Sequence, residues 1–98
     1  MWLELHEGFR DHPKLGRLAR ALGVGRAQAA GHVALLWTWT MSHAPDGDLS
    51  SYDDGDIEEG AGWEGAPGAM VSAMVSARWL DKGRRGVVVH DWLEYYGS

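Results

Sequence analysis

The chain has no cysteine among its 98 residues. This excludes a disulfide framework, a thiolate nucleophile and a cysteine-ligated zinc centre, and leaves the redox compartment open. Basic side chains are absent from residues 27–77, a stretch that holds eight acids from Asp46 to Glu64. Long apolar runs are missing too. The longest, residues 33–41, is interrupted by Thr38 and Thr40 and falls well short of the ~20 residues a membrane helix needs. The opening MWLELHEGFRDH is charged early and has no apolar signal core. A cytoplasmic protein with no membrane partner is therefore expected.

Chemistry-bearing patterns are equally scarce. No nucleophile and base pairing, carboxylate cleft or phosphate loop stands out, so a non-enzyme without cofactor is expected. The stretch GVGRAQAAG, residues 23–31, fails the spacing of a dinucleotide fingerprint and reads as helix-stop and helix-start glycine. None of the five histidines pairs with another at i, i+4 on a predicted helix, so no metal site is expected. His90 is expected to hydrogen-bond at the end of a strand. The acidic segment does not match an EF-hand loop, and much of it reads as carboxylates favoured by helix N-termini.

What the chain does have is enough length for one domain, residues 1–98, with six tryptophans to fill its core. Its net charge of −5 is unevenly spread. Residues 1–26 carry five basic side chains against three acids, and residues 78–98 carry four against three. Basic ends around an acidic middle are a recognised mark of a surface that faces a polyanion.

Read along the chain, MWLELHEGF suits a short strand or an extended arm. Pro13 stands at a first helical position with Asp11 as cap, Leu15, Leu18, Ala19 and Leu22 follow at helical spacing, and Gly23 stops the run. Lys14, Arg17 and Arg20 form one exposed stripe of that helix. A second helix over residues 26–41 is apolar nearly all round, which marks it as central. Asp48-Leu49-Ser50 suits a short edge strand. Asp53 and Asp54 cap a short helix over residues 56–61, with Ile57 and Ala61 facing inward. After a tight turn a fourth helix spans residues 67–78. Met70, Val71, Met74 and Val75 are its buried stripe, and Ala69, Ser72, Ala73 and Ser76 its exposed face. The stretch RWLDKGRRGVVVHDW, residues 78–92, then reads as a hairpin with a basic tip, and DWLEYY as a terminal tail. The fold class expected is α+β: a winged helix-turn-helix of about four helices with a C-terminal β-hairpin wing.

The residues WLELHEGFRDHPKLGRLARALG, AQAAGHVALLWTW, APDGDLS, AGW, ARWLD and VVVHDWLEYYG carry a resemblance over nearly the whole chain. They resemble the N-terminal winged-helix domain of phage-type replication initiators, or replisome organisers. That resemblance implies double-stranded DNA as partner. It also implies a longer protein whose C-terminal region engages replication proteins.

On that reading Lys82, Arg84 and Arg85 at the wing tip contact phosphates, joined by Arg78 from the end of the fourth helix. Ser72 and Ser76 lie on the face that would enter the groove, and Lys14 and Arg17 flank the site. The fourth helix departs from a sequence reader: its face offers no Arg, Lys, Asn or Gln for bidentate base contacts. The alternative function is a protein-interaction or dimerisation module that keeps the winged-helix shape without DNA binding. Trp2, Leu3, Leu5, Trp92, Tyr95 and Tyr96 are expected to cover one another in a homodimer.

Overall fold

The chain is described from a computed structural model, over residues 12–92. The first helix, α1 (Pro13–Leu22), opens with proline where a missing N–H costs nothing. Its cap is His12, whose Nδ1 accepts from the Lys14 amide at 3.1 Å. The expected cap, Asp11, lies outside the described residues. Helix α1 ends at Gly23, and the Val24 amide bonds back to the Ala19 carbonyl at 3.0 Å.

Helix α2 (Arg26–His43) runs two residues beyond the expected Met41. What stops it is Pro45, because the residue before a proline is pushed out of the helical region, and Ala44 has ψ 71°. The central position expected of α2 is found: Val33, Leu36 and Trp37 are core residues, and α1 and α3 (Asp54–Gly60) both pack on it. Two polar side chains are buried in α2, both bonded. Thr40 donates to the Leu36 carbonyl at 2.8 Å, and His32 Nδ1 donates to the Ala61 carbonyl at 2.7 Å. The latter bond ties α2 to the end of α3.

Helix α3 begins with a reciprocal capping box between Asp53 and Asp56, and Ile57 and Ala61 are fully buried as expected. The connection to α4 (Ala69–Ser76) is not the tight turn expected but eight residues, 61–68. Gly68, with φ 85°, has left-handed backbone that no helical residue adopts, so the expected start at Pro67 moves to Ala69. The buried stripe also shifts. Ala73 is core, at 6 % exposure, while Val75 is only partly buried. Met70, Ala73, Met74 and Ala77 give the i, i+3, i+4, i+7 spacing of one helix face. Ala73, expected on the exposed face, is thus part of the buried one.

The hairpin pairs β1 (Leu80–Gly83) with β2 (Gly86–Val89) antiparallel, from Leu80 opposite Val89 to Gly83 opposite Gly86. The expected edge strand joins it as a single bridge, Asp48 to Val88. The Leu49 amide donates to Val87, and the Val89 amide to Gly47. Trp79 docks its indole N–H on the Lys14 carbonyl at 3.2 Å and its ring edge-on to Trp37, so the start of the wing is fixed to α1 and α2. Trp92, expected at a dimer surface, is buried within this chain and donates to the Pro45 carbonyl at 2.8 Å. The other five residues of that expected surface lie outside the described residues. Four helices and a two-stranded antiparallel hairpin therefore make a small α+β fold among the described residues, in a layout compatible with a winged helix. No helix among them is long and apolar enough to cross a membrane.

Candidate nucleic-acid interface

The wing turns at Arg84-Arg85, and neither arginine has positive φ. The unusual backbone falls instead on Gly86, with φ 133°, where a side chain would also meet the Ser50 Cα at 3.0 Å. Conformation and space both require glycine there. Both arginines are exposed, and their position at the turn carries them past the end of the core.

Lys82 shares its hairpin face with Leu80, Val87 and Val89, two-residue alternation that aims it towards the helices. At the end of that face it leaves the core and lines a groove of about 180 Å³ with Ser72, Val75 and Asp54. Ser72 and Ser76 are exposed on α4 as expected. The structure thus brings Lys82 beside the open face of α4.

The other expected cations have company. Arg78 lies 3.5 Å from the Asp81 carboxylate, and Asp81 is also 2.7 Å from His90 Nδ1. His90 Nε2 lies 3.2 Å from Asp91, so His90 does hydrogen-bond at the end of the wing strand. Lys14 is not a free member of the α1 stripe. Its Nζ sits 4.5 Å from the centre of the Trp79 ring, a cation–π contact. Burial pushes its pKa down, against the pull of Asp91 and Asp81, with Arg78 and Arg17 adding to the lowering. The Asp48 carboxyl is held below its usual range mainly by the Ser50 amide and hydroxyl and, last, by the positive charge of Arg85. No ion pair among the described residues engages Lys82, Arg84, Arg85 or Arg17.

One residue of the site escaped the sequence reading. Glu58 is buried, and its carboxylate accepts from three amides at the start of α4: Gly68 at 2.9 Å, Met70 at 2.9 Å and Val71 at 3.1 Å. The fourth, Ala69, donates to the Ala66 carbonyl. A helix N-terminus is ordinarily a ready anion site. Here an internal anion already fills it, so α4 has no first-turn amide left for a phosphate. The signal available in sequence was position: Glu58 stands three residues before the inward-facing Ala61, on the edge of the buried arc.

Arg78 carries a second anomaly. It has φ 68°, left-handed backbone at the C-terminus of α4. Its amide bonds to Val75 and the Trp79 amide to Met74, the pairing of a Schellman motif that usually places glycine there. Left-handed backbone at a non-glycine residue costs about 1–2 kcal/mol, while the exposed pair to Asp81 returns at most about 1 kcal/mol. Arg78→Gly should accordingly leave stability unchanged or raise it by up to about 1 kcal/mol. Urea denaturation checks this, and a loss above 1 kcal/mol would show the arginine to be structurally required.

Comparison of the chain with protein-family models, with curated proteins and with solved structures returns no match.

Proposed function

We propose that this domain binds double-stranded DNA through its wing, holding the phosphate backbone without reading sequence. The observation that carries this reading is the exposed row of Lys82, Arg84 and Arg85, none in an ion pair among the described residues, running from the α4 groove to the hairpin tip. Two features narrow it. Glu58 removes the α4 N-terminus as a phosphate site, and Ser72 and Ser76 offer hydroxyls but no bidentate base reader. Phosphate contacts position a protein on a duplex and carry no sequence information. The setting in replication initiation, with replication proteins as partners, rests on the sequence resemblance.

A protein-interaction module is the second reading. It is favoured by the acids near the basic patch, Asp81 paired with Arg78 and Asp48 within electrostatic reach of Arg85, which weaken its field. A salt series separates the two. Three phosphate contacts give a slope of log affinity against log salt of about −3, at roughly −0.9 per contact. Titration of a labelled duplex by anisotropy at several salt concentrations should show that slope, with little difference between sequences. Binding that hardly changes with salt would remove the wing as the contact.

A further inference from the structure

Helix α3 has a second open side. Its Asp56, Glu59 and Gly60 lie on the face opposite Asp54, and with Trp39, His43 and Tyr52 they line a cavity of about 450 Å³. Three rings wall it. Trp39 and His43 stack 4.6 Å apart with planes 16° from parallel, and Tyr52 stands edge-on to Trp39 at 4.9 Å. Both neighbours of the indole are held. His43 Nδ1 donates to the Trp39 carbonyl at 2.9 Å, and the Tyr52 hydroxyl donates to the His43 carbonyl at 3.1 Å. Gly60 makes room for the indole, since a Cβ there would stand 2.5 Å from Trp39 Cδ2. The cage is thus built before any ligand arrives.

Its charge is one-sided. Asp56 has one oxygen engaged by the Asp53 amide in the capping box, and Glu59 is exposed with no ion pair among the described residues. Neither lysine nor arginine lines the cavity, and residues 27–77 contain none. Aromatic faces attract cations through the ring quadrupole. Carboxylates beside them add direct attraction and hydrogen-bond acceptors for guanidinium or ammonium. A volume in the range of small-ligand sites leaves room for one long side chain.

We propose that this aromatic and acidic cavity receives an arginine or lysine side chain from a basic segment of a protein partner. DNA is excluded from this cavity by like charge, and the cavity and the Lys82 groove lie on opposite sides of α3. The inference does not depend on the DNA reading.

The probe is a nine-residue peptide of alternating glycine and arginine, with a glycine–serine peptide of equal length as the uncharged control. Binding is followed in mildly alkaline buffer by NMR of the Trp39 indole and the His43 and Tyr52 rings. The arginine peptide should shift these resonances saturably, and the serine peptide should not. Glu59→Lys sets a fixed cation in the cage and should weaken binding about tenfold or more, since it places like charge against like. Glu64→Lys makes the same change of net charge outside the cavity and should stay within about threefold of the parent. Both positions are exposed, so both variants should fold. Equal weakening by the two variants, or peptide binding that leaves Trp39 unmoved, would overturn the proposal.

Discussion

Glu58→Ala, which removes a buried carboxylate, should cost about 3–5 kcal/mol of folding free energy. The value follows from what remains after the carboxylate is gone. Three amides lose their acceptor, two of them in buried bonds, and an unsatisfied buried donor costs about 1–3 kcal/mol. The favourable placement of a negative charge at a helix N-terminus is lost as well, worth up to about 2 kcal/mol when partly buried. Domains of this size have only about 5–15 kcal/mol in total, so the melting temperature should fall by roughly 12–40 °C, at about 4–8 °C per kcal/mol. Glu58→Gln keeps the shape and one acceptor oxygen, and should lose about half as much. Thermal unfolding followed by circular dichroism measures both. A cost below 1 kcal/mol for the alanine variant would mean that water replaces the carboxylate and that α4 is not anchored through Glu58.

The same residue links stability to function. Helix α4 has eight residues, no side-chain cap at Gly68 and a left-handed residue at its far end. So short a helix is marginal on its own and depends on tertiary support. Glu58 supplies that support from α3 and fixes how the Ser72 and Ser76 face meets the Lys82 groove. The anion that steadies the helix also takes up the amides of its N-terminus, so the proposed phosphate contacts rest on the wing alone.

Features set by neighbouring residues were legible in the chain. Pro13 and Gly23 bound α1, Asp53 caps α3, and the valine run after two glycines gives the hairpin, because each depends on the backbone preference of a few adjacent residues. The basic tip was legible for the same reason. What was not legible depends on partners far along the chain. Glu58 pairs with amides ten to thirteen residues away, Lys14 meets Trp79 across sixty-five residues, and Trp92 reaches Pro45 across forty-seven. Ala73 was misplaced because periodicity weighted by size overlooks a small side chain that allows close packing. His12 took the cap expected of Asp11, a histidine nitrogen standing in for the carboxylate oxygen commonly found there.

Reversing both tip arginines, Arg84→Glu with Arg85→Glu, should weaken duplex binding at least about tenfold while leaving the fold intact. The two side chains are exposed and have no positive φ, and neither forms an ion pair among the described residues. Stability should therefore stay within about 0.5 kcal/mol of the parent, as for most surface substitutions. Asp48 is the one neighbour to watch. Its carboxyl is held low chiefly by Ser50 and only lastly by Arg85, so a new glutamate beside it adds little repulsion at the surface. For DNA the change is large. Two of three expected phosphate contacts are removed and two negative charges take their place. Affinity at low salt should drop at least about tenfold, and the salt slope should flatten from about −3 towards −1. Net charge alone would mimic this in part, so Arg84→Glu must be compared with Arg20→Glu, an equal change on the exposed face of α1. If the wing holds the backbone, Arg84→Glu weakens binding several-fold more than Arg20→Glu does. Equal losses would reduce the effect to the overall field of an acidic protein. A folded double variant that still bound duplex as the parent does would leave the basic tip an ordinary solvated turn and move the function to the protein-interaction reading.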